Sequence, residues 1–243
     1  MEGFDLLGEA SWRPLDRFGL THPFFGFNVE TIVHTWIILG LLLLLLVTVN
    51  FFLRKGTGTV SFLATGFVQY FSNLCKQTLG SFSFNHFSFI TSMFVFIFSC
   101  NLFAVIHGIE EPTKDLNTTL ALGIISFLYA QFYAIKANGL VAYLKDYCRP
   151  FFLMLPLNIV GKIATVVSLS FRLFGNIFGG FIIAKIYYGF IGGSIVGESI
   201  GLLFGVNLII TLFFGLFEGF LQAFVFSMLT LTYLSIALEG EGH

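Results

Sequence analysis

Apolar residues form five runs along the chain, and each run is long enough to form a helix that crosses a lipid bilayer. Such a crossing takes about 20 apolar residues, because a helix rises about 1.5 Å per residue and the hydrocarbon core is about 30 Å thick. We therefore predict an all-α integral membrane protein, a single membrane domain over residues 1–243. The predicted spans are residues 31–53, 87–107, 116–135, 157–188 and 199–238.

Two further segments have a different pattern. Residues 61–79 are apolar on one side and carry Gln69, Asn73 and Lys76, which predicts an amphipathic helix at the membrane interface. Residues 1–30 mix acids, arginines and glycines. They lack a basic stretch followed by an apolar core, so we expect an outer N-terminal segment instead of a signal peptide.

The last two runs are longer than a perpendicular crossing requires. They would extend about 48 Å and about 60 Å as continuous helices, and an average tilt of about 20° does not absorb that excess. The Gly-rich residues 189–197 between them predict a long antiparallel hairpin. Either both helices are steeply tilted, or each has an interfacial extension.

The distribution of charge predicts the orientation. Arg54 and Lys55 follow the first span, and Lys136, Lys145 and Arg149 follow the third. Loops rich in lysine and arginine stay on the inner side of the membrane, so the N-terminus is predicted outside and the C-terminus inside.

Composition excludes several classes of protein. The chain is 56% hydrophobic and 10% charged, against about 25% charged residues in soluble domains. A net charge of −1 offers no basic surface for nucleic acid. The three cysteines match no metal or haem spacing, and no phosphate-binding glycine loop is present, so we expect neither a cofactor nor ATP chemistry in this chain.

Arg172 is the most informative residue, since it lies in the middle of the fourth apolar run. Placing a guanidinium at that depth costs at least about 3 kcal/mol, and the group stays charged at any accessible pH. Asn176 and Ser168 lie one turn away on either side and share its helix face, while Lys162 lies closer to the inner end. A fixed cation of this kind suits the handling of a mobile proton or anion.

The fifth run carries a second polar line. Glu218 and Gln222 are four residues apart, and Asn207 falls near the same stripe. Two polar lines that face each other would enclose a hydrated path. Hydrogen bonding between packed helices is the alternative for the serine and the amides, and a static ion pair is the alternative for Arg172 with Glu218.

Several motifs resemble subunit a of the F-type ATP synthases. The clearest is Ser168-Leu-Ser-Phe-Arg-Leu-Phe-Gly-Asn176 followed by Phe220-Leu-Gln-Ala-Phe224. Asp115-Leu-Asn-Thr-Thr-Leu120 is similar to the start of a later helix in that family, and Pro156-Leu-Asn158 to the start of its Arg-bearing helix. The likeness covers nearly the whole chain and is closer to bacterial than to mitochondrial members.

This resemblance implies a stator subunit with two offset half-channels beside a rotating ring of c subunits. It implies that Arg172 attracts the ring carboxylates, that Gln222 faces the arginine, and that Asn176 lines the polar path. The implied partners are the c ring, the b subunits of the peripheral stalk, the F1 sector indirectly and the lipid bilayer. The implied location is the bacterial plasma membrane.

The chain departs from the family pattern at two positions. Phe181 stands where many bacterial members carry an acid, and Gly215 where many carry a histidine or an acid. We hypothesise that Glu218 replaces this missing outer pair as a proton relay. Candidates for the outer vestibule are Asp115, Glu110, Glu111 and His107. For the three acids, an exposed loop position with no such role is the more common explanation.

Two other functions remain open from sequence. A sodium-translocating version of the same subunit would use the same polar residues, because carboxylate and amide oxygens also bind sodium. A stand-alone transporter or ion channel is the second alternative. Transporters often contain internal repeats, and we find none in this chain.

Overall fold

The computed structural model describes residues 11–12, 27–56, 58–104, 111–147, 152–191, 205, 209 and 212–239. Seven α-helices account for most of this part of the chain: α1 (Val29–Lys55), α2 (Thr59–Leu79), α3 (Phe84–Ala104), α4 (Leu116–Asn138), α5 (Leu140–Tyr147), α6 (Leu155–Ile191) and α7 (Gly219–Glu239). Short 3-10 turns, Pro112–Lys114 and Phe152–Met154, precede α4 and α6, and a π-helix, Leu212–Glu218, leads into α7. A strand pair, Ser11–Trp12 with Phe27–Asn28, precedes α1.

Five of these helices are long and apolar enough to cross a membrane. They are α1, α3, α4, α6 and α7, in the order that the apolar runs predict, which confirms an all-α integral membrane protein. The helix α2 is not among them. It is amphipathic, and it buries Phe71 and Cys75 against the bundle. The Phe71 ring lies 4.9 Å from that of Phe94 in α3, and α2 ends at Gly80, whose φ of 68° is the left-handed conformation that commonly ends a helix.

The core of the bundle lies where α7 packs against α3 and α4, and where α4 packs against α6. Ile97 of α3, Leu173 of α6 and Leu231 of α7 are completely or almost completely buried there. The helix α1 is peripheral, because only 6% of its most apolar stretch is buried within the chain. Its long aliphatic run is therefore available to lipid.

The predicted C-terminal hairpin is described only in part. The helix α6 has 37 residues, about 55 Å of helix, so its length fits a tilted crossing. The connecting residues 192–204, Asn207 and most of the outer segment 1–30 lie outside the described residues. The tilt of the hairpin and the single-domain boundaries stay predictions.

Candidate site around an intramembrane arginine

Arg172 lies on α6 with its side chain exposed on the surface of the isolated chain. Its neighbour Leu173 is 1% exposed and turns into the core, so the packing of α6 directs the arginine outward. Ser168 and Asn176 are also exposed. The polar line of α6 is therefore open to a partner molecule instead of being covered by this chain.

Gln222 contacts the backbone of Arg172 and not its guanidinium. It is 4% exposed, and its Nε2 donates a hydrogen bond to the Arg172 carbonyl oxygen at 2.9 Å. This bond holds α7 against α6 at the level of the arginine. The structure thus brings Gln222 and Arg172 together, but the polar line of α6 does not face that of α7. Within the described residues, Arg172 and Glu218 form no ion pair.

A cavity of about 360 Å³ lies between α4, α5, α6 and α7, on the side of Arg172 that the charge distribution predicts to be the inner one. Along α6 it extends from Leu157 to Leu169, so it ends one helical turn before Arg172. Its described polar lining consists of hydroxyl, amide and ammonium groups: Ser126, Gln131, Asn138, Tyr143, Asn158, Lys162, Thr165, Thr230 and Tyr233. A space with such a lining can hold water.

Two of these lining groups, a buried hydroxyl and an ammonium group, can bond water in the cavity. The Ser126 hydroxyl is buried and has no hydrogen-bond partner among the described residues, so it is free to bond a water molecule. Lys162 lies at the opposite wall, with Nζ 5.3 Å from the centroid of the Tyr143 ring. Lys162 thus belongs to the lining of the cavity.

Carboxyl groups occupy the outer side of Arg172. Glu218 is the last residue of the π-helix, one turn before Gln222 and thus farther out on this antiparallel helix. Glu111 lies in the loop before the 3-10 turn. Burial, and then the negative charge of Glu218, raise the pKa of Glu111 to about 7. The two carboxyl groups are therefore electrostatically coupled.

Asp115 has a different role in the structure. It caps the N-terminus of α4, where its Oδ1 accepts a hydrogen bond from the Asn117 backbone N–H at 2.9 Å. The structure assigns it this capping function and leaves its part in an outer vestibule a prediction. His107 and Glu110, which lie in the same loop, are outside the described residues.

The two positions that depart from the family pattern are occupied differently. The Phe181 ring has two ammonium groups over it, Lys114 Nζ at 4.9 Å and Lys185 Nζ at 5.7 Å from its centroid. An aromatic face attracts cations as a carboxylate does, although less strongly. Gly215 is buried in the π-helix, and such single-turn π segments are often found at functional sites.

One residue of this site was missed from sequence. Glu111 is a candidate for the outer vestibule among several loop acids, whereas Asn101 reads only as a polar residue near the end of a helix. Asn101 is 1% exposed and joins the loop of Glu111 to the turn of Glu218. No local pattern indicates this, because Asn101 and Gly219 are 118 residues apart. No group of three or more potential metal ligands occurs in the described ranges.

Fold and site define a class: an all-α integral membrane protein with an exposed arginine near the middle of a membrane-length helix and polar regions on both sides of it. Comparison with known proteins agrees. Residues 32–235 match the family model described as ATP synthase A chain. ATP synthase subunit a of Moorella thermoacetica is 33% identical over 219 residues, which cover 87% of this chain and 92% of that protein.

Two other relatives carry the same name. ATP synthase subunit a 3 of Pelobacter propionicus is 30% identical over 220 residues, 89% of this chain and 90% of the relative. The subunit a of Nitrosospira multiformis is 45% identical over 98 residues, 40% of this chain and 39% of the relative. The chain belongs to the subunit a family of the F-type ATP synthases. It is thus an Fo subunit that takes part in ion transport within the ATP synthase complex.

Proposed function

We propose that this chain is the stator proton-channel subunit of a bacterial ATP synthase, with Arg172 facing the carboxylates of a c-subunit ring. The observation that carries the proposal is the position of Arg172. The guanidinium is exposed in the isolated chain, the cavity ends one turn away on its inner side, and Glu218 lies about one turn away on its outer side.

The exposed face of α6 supports a rotor as the missing neighbour. A guanidinium facing hydrocarbon is costly, whereas one that meets an acid is stabilised. Unit charges 4 Å apart attract by about 4 kcal/mol at an effective dielectric of 20. That attraction is large enough to keep a ring carboxylate ionised and small enough for rotation to break.

Two separate routes lead to this arginine in the proposed mechanism. The inner half-channel is the cavity with Lys162, Ser126 and Thr165 in its wall. The outer half-channel passes Glu218, with Asp115 and Asn207 as further candidate members. Arg172 separates the two routes, because its positive charge repels a proton that would otherwise pass directly between them.

The proposed partners are those that the family resemblance implies. The c ring covers the polar face of α6, formed by Ser168, Arg172 and Asn176. The b subunits hold the chain in place against rotation, and the F1 sector is coupled indirectly through them. The chain itself carries no catalytic residue, and its proposed location is the bacterial plasma membrane.

The decisive experiment is Arg172→Ala in the assembled complex, reconstituted into vesicles. We expect loss of proton-driven ATP synthesis together with a raised passive proton leak, since both functions depend on the same charge. Arg172→Lys is the matched control, which keeps a cation without the planar guanidinium and should retain the block against leakage better than alanine. Retained ATP synthesis in Arg172→Ala would refute the proposal.

A further inference from the structure

One buried amide connects the two segments that carry the outer carboxyl groups. The Asn101 Oδ1 accepts a hydrogen bond from Thr113 Oγ1 at 3.2 Å, and its Nδ2 donates one to the Gly219 carbonyl oxygen at 3.3 Å. Asn101 is 1% exposed and Thr113 is fully buried. A buried amide with both ends bonded costs little, whereas one with unmet bonds costs about 1–3 kcal/mol for each group.

The two bonds end next to the acids. Thr113 lies two residues after Glu111, and Gly219 directly follows Glu218. Asn101 of α3 therefore fixes the 3-10 turn Pro112–Lys114 and the junction of the π-helix with α7 to a common point. The same turn also contacts α1, α4 and α6, so it has little freedom to move.

The contact at Gly219 is close. A Cβ atom at this position would lie 2.5 Å from the Asn101 Cβ, a distance that real Cβ atoms essentially never show. Only glycine allows the α7 backbone to approach α3 in this way. Backbone packing and the Asn101 amide together thus hold the two segments next to the outer carboxyl groups.

We infer that Asn101 is a positioning residue, which holds Glu111 beside Glu218 so that the two carboxyl groups pass a proton between them. The inference rests on the proposed function. A proton from the outer side binds the Glu111 carboxylate. It then moves to the Glu218 carboxylate, which leaves Glu111 ionised again, and passes on to a ring carboxylate. Two neighbouring carboxyl groups disfavour the state in which both are ionised, so one group can hold a proton while the other is free to accept it.

Other charged or titratable groups lie on the elements around Glu111. Lys114 and Lys185 place their ammonium groups over Phe181, and Asp115 caps α4. The Cys100 thiol of α3 is within electrostatic reach of Glu111. The raised pKa of Glu111 has two causes, burial and the charge of Glu218.

The test is ATP synthesis by the assembled complex in vesicles, measured while the pH on the outer-channel side is varied. We expect Glu111→Gln to lower the rate, since it removes a proton-binding group, and also to lower the half-maximal outer pH by roughly one unit, since removing one of two like charges weakens the hold on the proton. Asn101→Ala should produce a similar shift by letting the two segments separate. Asn85→Ala, the same substitution at the other end of α3, should leave the half-maximal pH unchanged.

The double variant Asn101→Ala with Glu111→Gln separates positioning from mere stability. If Asn101 acts through Glu111, the double variant shows no further shift beyond that of Glu111→Gln alone. A uniform fall in rate at every pH, or a shift that persists without Glu111, would overturn the inference. Should Asn101→Ala fail to assemble, Thr113→Val removes one of the two bonds at nearly constant volume and should give a smaller shift in the same direction.

A failure of the positioning role of Asn101 can be distinguished from a failure of the proposed function. If Glu218→Gln keeps full ATP synthesis, the outer path itself is wrongly placed and Asn101 has nothing to position. If Glu218→Gln abolishes synthesis while Asn101→Ala leaves the half-maximal pH unchanged, the proposed function stands and only the positioning role fails.

Discussion

The inner and outer sides of Arg172 are built in contrasting ways. The inner side is a cavity of about 360 Å³ whose described polar lining is hydroxyl, amide and ammonium groups. On the outer side, a buried amide and a glycine contact join the two segments that carry Glu111 and Glu218. Water in a roomy cavity can conduct protons without titratable side chains, whereas a closely packed region needs side chains that bind and release them. The contrast predicts that the two sides respond to different substitutions.

Loss of the outer carboxyl group should have the largest effect. Glu218→Gln keeps the size of the side chain but removes its capacity to bind and release a proton at neutral pH. We expect proton-driven ATP synthesis to fall on the order of 10²-fold, a usual contribution of one positioned proton-transfer group. The measurement is the initial rate of synthesis in reconstituted vesicles after an imposed pH jump.

Two control variants accompany Glu218→Gln. Glu218→Asp keeps a titratable group one methylene shorter and should recover part of the rate. Glu30→Gln removes an exposed acid at the beginning of α1, distant in sequence from the site, and should leave the rate unchanged. If Glu218→Gln synthesises ATP at the rate of the unsubstituted protein, the outer side conducts protons without this carboxyl group. The proposed difference between the inner and outer sides would then be wrong.

Filling the inner cavity should have the next largest effect. Ala130 of α4 is 3% exposed and lines the cavity, so Ala130→Phe places a phenyl ring in the proposed water path. We expect passive proton conduction through Fo to fall about tenfold, which corresponds to about 1.4 kcal/mol in the barrier. Conduction is measured in vesicles with the F1 sector removed.

The matched control lies on the same helix. Ala121 is exposed on α4 and does not line the cavity, so Ala121→Phe adds the same ring to the lipid-facing surface. Immunoblotting of the purified complex establishes that both variants assemble. Equal conduction in the two variants would mean that protons do not travel through the cavity.

Much of the fold could be predicted because membrane insertion depends on local composition. Each span is an apolar run of sufficient length, so no knowledge of packing is needed to find it. The outward direction of Arg172 was not predictable in this way. The spacing of Ser168, Arg172 and Asn176 places them on one face, but only the burial of Leu173 and the Gln222 bond to the Arg172 carbonyl decide where that face points.

The outer side of Arg172 shows why the rest of the candidate site could not be predicted from the sequence. Counting 3.6 residues per turn places Glu218 and Gln222 on one stripe, yet Glu218 ends a π-helix, whose wider turns change the angle between successive side chains. Gln222 is consequently buried while Glu218 is partly exposed. Glu111 gains its importance from Asn101, through contacts between residues that are far apart in sequence.

The smallest expected effect concerns the packing beside the inner cavity. A Cβ added at Gly123 of α4 would collide with the Ser170 Oγ of α6. Gly123→Ala should therefore destabilise the contact between these helices by about 1–3 kcal/mol, the usual range for overpacking. The measurement is the temperature at which the purified complex loses proton-coupled ATP synthesis, and we expect that temperature to fall.

Two comparison variants identify the cause of this loss. Gly161 also lines the cavity, but no atom lies within 4 Å of an added Cβ, so Gly161→Ala should be neutral or slightly stabilising through its higher helix propensity. Adding Ser170→Ala to Gly123→Ala removes the colliding oxygen and should restore most of the lost stability. If the double variant is no more stable than Gly123→Ala alone, the close approach of α4 and α6 is not what keeps the inner wall in place. The inner side would then depend on its polar bonds, such as that of Tyr143 with Gln131, in the same way as the outer side depends on Asn101.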